Sequence, residues 1–319
     1  MSKCRDIIRL VYYPLKRMFD YGEYKRFIKE SAIQVRDTNE TIRYILANQV
    51  SVSRFGDGEY MVMNQSGNGF QCPDKKLGER LKEVLNSNLS NHIVCLPYAF
   101  VSTKQMTNDA KNFWFPFCGS YRDFILKTTN QEKTYYDTNF TRFYMDMKDK
   151  SKVGHVVGQL KKIWEGRPVF IIEGRYSCLG IGNDLFDNAK SIRRIICPSQ
   201  NAFSKYDEIF ETATKIIPKD CLILSALGMT ATVLCYDLSR RGYQAIDIGH
   251  IDIEYSWFRM RAKKKCSVPG KAVNEISNMP EKECSDNKYS ETRPISDGFK
   301  KNNVNYWVFR DLCSIILHS

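Results

Sequence analysis

The stretch Val50-Ser51-Val52-Ser53-Arg54-Phe55-Gly56-Asp57-Gly58-Glu59 decides how the rest of the chain is read. Val50–Phe55 is short and mixes apolar with small polar residues, and a Gly-Asp-Gly turn closes it. That pattern predicts a strand, then a loop that opens a helix. The pattern recurs further along. Candidate strands at His92–Leu96, Val169–Glu173, Ile192–Cys197, Cys221–Leu227 and Gln244–Ile248 alternate with candidate helices at Leu77–Asn86, Thr103–Phe113, Lys152–Trp164, Phe203–Ile216 and Ala231–Arg241. Strands alternating with helices predict parallel β/α units, an α/β chain with a mostly parallel sheet flanked by helices. The helix ending in Arg240-Arg241-Gly242 has basic residues in its last turn and glycine just after it, as helix C-termini favour. The loop after most strands carries glycine, proline or small polar residues, and ligands of open parallel sheets sit where such loops converge.

The chain divides into an amphipathic N-terminal segment over residues 1–48, a main domain over 49–276 and a linker with C-terminal segment over 277–319. Ser277–Asp297 is rich in Ser, Asn, Pro, Glu and Lys, which reads as a linker, and the apolar Tyr306–Leu317 is expected to dock back. With 48 Lys+Arg against 36 Asp+Glu, the net charge of +12 favours anionic partners: nucleotide phosphates, an acidic glycan, a phospholipid surface or nucleic acid. The 11 cysteines show neither a zinc spacing nor an even disulfide framework, which fits a reducing cytosol. No apolar run near the start is long enough for a signal or a span, so a cytoplasmic protein is expected. The basic opening segment and Arg259–Lys265 mark where a membrane surface or lipid-linked acceptor would be met, against the commoner solvated charge run.

Asp57 and Glu59, separated by one glycine, can converge on one divalent cation, Mg²⁺ or Mn²⁺, with Arg54 adding a forked donor for a diphosphate. The same carboxylates can instead cap the following helix. After the last strand, His250, Asp252 and Glu254 fall on one face if the chain stays extended. They would then supply a general base with an orienting partner, or simply make structural hydrogen bonds. A glycine-rich strand-to-helix loop, with Gly180, Asn183 and Asp184, can hold phosphate and a sugar or ribose hydroxyl. Ser199 and Asn201 are candidates for base or ribose recognition, and Gly228 opens a helix whose positive end suits phosphate, with Thr230 as the expected N-cap. Gly56 belongs to the same set, and Arg142 is a candidate phosphate or acceptor contact.

Taken in order, RFGDGE (54–59), FTRFYMD (140–146), the EG…SCLGIGNDLF stretch (173–186), CPSQNAFSKYDEI (197–209), ALGMTATVLCYDL (226–238) and GYQAIDIGHIDIEYSWF (242–258) resemble the GT-D family of bacterial glycosyltransferases. The resemblance covers roughly residues 50 to 275. It implies a Rossmann-like fold, a nucleotide-sugar donor such as a UDP-sugar, and a D-x-E motif, here Asp57 and Glu59, for divalent metal and donor. A glycan, glycoprotein or lipid-linked acceptor in surface polysaccharide or protein glycosylation, and a hexose such as glucose as the transferred sugar, follow from the same resemblance. The glycine loop departs from the family pattern at Arg175 and Cys178, which bears on donor identity. Two other readings compete: a metal-dependent phosphohydrolase of nucleotides or sugar phosphates, and a basic nucleic-acid-binding module. The aromatic residues do not interleave with Lys and Arg as an RNA-recognition surface requires, so no nucleic-acid partner is expected.

Overall fold

Eight strands, too short to be stable alone, are held by one another in a single sheet. They are β1 (Gln34–Val35), β2 (Ser51–Arg54), β3 (His92–Leu96), β4 (Thr134–Asp137), β5 (Pro168–Gly174), β6 (Ser191–Cys197), β7 (Leu222–Ala226) and β8 (Gln244–Asp247). The coordinates are a computed structural model, which describes residues 13–67 and 71–273. The strand order is β1-β4-β3-β2-β8-β7-β5-β6 and every pairing is parallel, so the expected parallel α/β architecture is found. All six strands expected from sequence are present. β1 and β4 add to them, and β1 joins a strand from the opening segment to the main sheet.

Side-chain alternation explains why both faces are covered. Ile93 and Cys95, Val169 and Ile171, and Leu222 and Leu224 point into one apolar layer. Val94 and Leu96, Phe170 and Ile172, and Ile223 point into the layers on the other face. The first face is covered by helices α2 (Thr38–Asn48), α7 (Val153–Lys161) and α10 (Ile251–Arg259). The second is covered by α4 (Lys75–Leu85), α5 (Asn108–Ser120), α8 (Tyr206–Ile216) and α9 (Met229–Arg240). Buried on two faces, these strands read as continuous apolar runs.

The sheet has two halves, and they meet between β2 and β8, which share the one registered pair Val52↔Ile246. Side chains reinforce this seam: the Ser51 hydroxyl donates to the Tyr243 carbonyl at 3.0 Å and accepts from the Ala245 N–H at 2.9 Å. At the far end of the first half, α1 (Tyr13–Glu30) lies against α5, which the short helix α6 (Arg122–Thr128) follows.

Three local expectations are corrected. α5 starts and ends later than the spacing predicts, because Thr107 caps it by accepting from the Ala110 N–H at 3.3 Å and the helix continues through Pro116. Thr230 lies inside α9, and the N-cap is Gly228. The segment after β8 is helix α10 rather than extended chain. The linker and C-terminal segment expected over 277–319, including Ser277–Asp297 and Tyr306–Leu317, lie outside the described residues.

Candidate active site

The carboxyl ends of the strands open into one cleft of about 830 Å³. It sits over the seam between β2 and β8, the switch point at which ligands of open parallel sheets bind. Arg54, Gly56, Asp57, Glu59, Arg142, Ser199, Asn201, Gly228, His250 and Asp252 all line it. The structure thus gathers in one cleft residues that lie far apart in sequence.

At its floor, Arg54 ends β2 and Asp247 ends β8. Arg54 Nη1 donates to Asp247 Oδ1 at 3.4 Å, and its Nε donates to the Thr138 carbonyl at 3.3 Å, so one guanidinium ties together three strand ends. Asp247 is buried, and burial raises its pKa while the Arg54 charge opposes the rise. A Cβ on Gly249 would fall 1.9 Å from Arg54 Nη1, and Gly249 sits at φ +42°, so only glycine leaves room for this guanidinium. Asp247 is a site residue that the sequence reading passed over. Its signal was its position, a lone acid at the end of an apolar strand before a glycine.

Helix α3 (Asp57–Met63) starts in the Gly-Asp-Gly turn that follows β2. Glu59 Oε2 accepts the Gly56 N–H at 2.7 Å, so the capping role weighed for these carboxylates is present. Burial lifts the Glu59 pKa to about 7, and the charges of Asp247 and Asp57 add to the rise. The carboxyl cluster therefore favours any added positive charge. Among the described residues no group of three or more His, Cys, Asp or Glu side chains is set to hold a metal ion. Two carboxylates still suit a hard cation such as Mg²⁺ or Mn²⁺, which takes its other ligands from phosphate and water. They do not suit an ion held by protein ligands alone.

His250, Asp252 and Glu254 do not form the expected single face, because α10 turns successive residues about 100° apart. His250 and Asp252 reach the cleft wall, whereas Glu254 is not among its lining residues. Glu254 is fully buried and accepts the N–H groups of Tyr144 and Met145 at 2.8 and 2.9 Å. Burial raises its pKa to about 7, with the Arg142 charge pulling the other way. Asp252 accepts from the Gly180 N–H at 3.0 Å, from Asn183 Nδ2 at 2.7 Å and from the buried Lys271 ammonium.

Asp252 is therefore one of two buried carboxylates that hold the glycine-rich loop. The other is Glu173 at the end of β5, which accepts the Leu179 N–H at 2.8 Å and pairs with Arg194. Arg194 also donates to the Leu179 carbonyl at 2.7 Å. Gly180, at φ +74°, is required because a Cβ there would meet Phe186 at 2.5 Å. Gly180, Asn183 and Asp184 do not line the cleft; the wall on this side is made by Gly174, Tyr176, Ser177 and Leu179. Asp184 is turned to the surface, where Lys161 at 2.8 Å, the Tyr255 hydroxyl at 2.8 Å and Arg259 hold it. Opposite, Asn201 is left-handed at φ +49° and its side chain accepts the Cys72 N–H at 2.8 Å. Lys150 and Lys263–Lys265 complete a basic rim, and Phe113 and Trp114 an aromatic one.

The family model for the glycosyltransferase GT-D fold matches residues 52–276. The glycosyltransferase GlyD of Streptococcus pneumoniae is 40% identical over 244 residues, which is 76% of this chain and 30% of that protein. The probable glycosyl transferase Gly of Streptococcus gordonii is 38% identical over 248 residues, covering 77% of this chain and 36% of that protein. The matched region thus spans about a third of the length of these curated relatives. A solved structure described as the highly conserved domain of unknown function 1792 with a distinct glycosyltransferase fold superposes with a TM-score of 0.76 at 39% identity, covering 81% of this chain and 92% of that one. A glycosyltransferase of the same domain type from Streptococcus sanguinis gives a TM-score of 0.74 at 38% identity, over 77% of this chain and 91% of that one.

Proposed function

This chain belongs to the glycosyltransferase GT-D fold family, and from that premise we propose that it transfers a hexose from a nucleoside diphosphate donor, a UDP-sugar, to a hydroxyl of a glycan, glycoprotein or lipid-linked acceptor. The observation that carries the reading is the meeting of Arg54, Asp57, Glu59 and Asp247 at the seam of the sheet, with glycine-rich turns beside them. That combination of a half-buried guanidinium, an acidic pair and open backbone suits a diphosphate bound with a cation.

Asp57 and Glu59 would hold Mn²⁺ or Mg²⁺. Bound there, the ion would supply charge neutralisation for the departing diphosphate. Arg54 orients the diphosphate oxygens, and the N–H groups at Gly228, where α9 begins, add a positive helix end. Ser199 and Asn201 face the nucleoside, and Arg142 faces the acceptor or the phosphates. In the transfer, the acceptor oxygen bonds to the anomeric carbon, the bond from that carbon to the diphosphate oxygen breaks, and the hydroxyl proton passes to a base. Of the three residues after β8, His250 is the one retained for that step, because its imidazole lines the cleft and is the side chain best suited to take a proton near neutral pH.

The test is turnover of a panel of nucleotide sugars with Mn²⁺ or Mg²⁺. Donor consumption should require the metal and should fall at least about 100-fold in Asp57→Ala and in Glu59→Ala. Metal-independent turnover unaffected by either substitution would sink the reading. Donor hydrolysis as fast without acceptor as with one would move the assignment to a phosphohydrolase.

A further inference from the structure

Helix α1 has one face on the domain and the other in solvent. Tyr24 and Phe27 are buried, Tyr24 against Phe115 of α5 and Phe27 against Phe100. At about 100° per residue, the opposite face carries Leu15, Met18 and Phe19 in its first turns and Lys25, Arg26 and Lys29 in its last. Leu15, Met18 and Phe19 are 59%, 70% and 68% exposed. The three acids of the helix are each paired: Asp20 with Lys16 at 2.7 Å, Glu23 with Arg26 at 3.3 Å from the flank, and Glu30, at the edge of this face, with Arg122 at 3.3 Å.

Folding of the domain gives no reason for this outward composition, because α1 already buries its other side. Large apolar side chains in one half and cations in the other, with no carboxylate between them, suit a helix lying in the interface of an anionic bilayer. An isologous dimer through the same face would set cations against cations if the helices ran parallel, and would bury the cations against Leu15, Met18 and Phe19 of the second copy if they ran antiparallel. A second cationic group lies at the start of the helix. There Arg17 donates to Asn108 Oδ1 at 3.0 Å, and Lys148 and Arg17 crowd Lys111 closely enough to lower its pKa.

We propose that the outward face of α1 binds the surface of an anionic phospholipid bilayer, holding the protein peripherally with the cleft-wall helix α5 one helix layer from the membrane. The proposal does not rest on sugar transfer, and its test uses no nucleotide. Among the described residues no helix is long and apolar enough to cross a membrane, so the contact is with the surface.

The 319-residue protein is floated with vesicles of phosphatidylcholine alone and of phosphatidylcholine mixed with phosphatidylglycerol. It should float with the mixed vesicles only. The triple substitution Lys25→Gln, Arg26→Gln, Lys29→Gln should weaken that partition on the order of 100-fold. Leu15→Ser, Met18→Ser, Phe19→Ser should weaken it at least about 10-fold. Both variants alter exposed residues and should keep the parent melting temperature. Lack of flotation by the parent, equal flotation with both vesicles, or full flotation of either variant would overturn the proposal. So would flotation that appears only after residues 274–319 are removed, which would make that segment the occupant of the face. A concentration-dependent dimer abolished by the serine substitutions would assign the face to a second copy and overturn it equally.

Discussion

Gly249 is the residue on which the site geometry depends most tightly. Its backbone is left-handed, and a Cβ added there would stand 1.9 Å from Arg54 Nη1, so Gly249→Ala must displace the guanidinium or the turn. We expect that substitution to cost roughly 1–3 kcal/mol in urea denaturation and to weaken nucleotide binding. In an Arg54→Ala background the same change should cost less, and a double-mutant cycle with no coupling would contradict the clash. Glu254 makes a different demand. Its folded pKa of about 7 is above the ordinary 4.5, so the folded state holds the proton more tightly than the unfolded chain does. Its contribution to stability is therefore full below about pH 4.5 and is lost as the pH rises to about 7. Glu254→Gln is neutral at every pH and keeps an oxygen for the Tyr144 and Met145 N–H groups. The stability of the parent relative to this variant should fall by on the order of 2 kcal/mol between about pH 5 and about pH 7.5, read from urea midpoints. A constant difference would show that Glu254 is ionised throughout. In the sequence Gly249 stands out only as the turn glycine after the last strand, and Glu254 as a candidate acid beyond it. Its burial could not be seen there, because a carboxylate near a strand end looks the same whether it faces a cleft or the core.

Elements with a single clean period were legible, and those without one were not. β3, β5 and β7 read as apolar runs because helices cover both faces, and β2, β6 and β8 as mixed short runs closed by turn residues, whereas β4 (Thr134–Asp137) lies in a polar stretch and β1 has two residues. α10 was misread because residues 251–257 are all buried, which erases the polar stripe that marks a helix and leaves Ile251, Ile253 and Tyr255 alternating as a strand would. The glycine loop was found, but not which of its residues turn inward. That depends on Glu173 and Asp252, which grip it from two different elements. Asp252 also neutralises Lys271, and both side chains are buried. Asp252→Ala should leave that ammonium unpaired and release the Gly180 N–H, at a cost of about 3–5 kcal/mol. The double change Asp252→Asn, Lys271→Met should recover most of this in the same denaturation measurement. If Asp252→Ala alone were as stable as the parent, Glu173 and Arg194 would suffice to hold the loop.

Across the whole molecule, the two halves of the sheet meet along a seam with little backbone pairing, joined by Ser51 and by the Arg54–Asp247 contact at the cleft floor. A ligand at that floor touches loops from both halves and so opposes their separation as well as local loop motion. Binding to the folded state alone stabilises by about 2.7 kcal/mol when the ligand is at about 100 times its dissociation constant. For a domain of this size that corresponds to a rise in melting temperature of roughly 5–10 °C. We expect UDP with Mn²⁺ to produce such a rise as a single transition in scanning calorimetry, both halves unfolding together. Chelating the metal should remove most of the shift while leaving the melting of the free protein unchanged, because Glu59 keeps its contact with the Gly56 N–H without an ion. Asp57→Asn should behave like the parent in chelator, with normal stability alone and a reduced response to nucleotide. Two transitions, only one of them moved by nucleotide, would instead mean that the ligand rests on one half and that the seam is not where it binds.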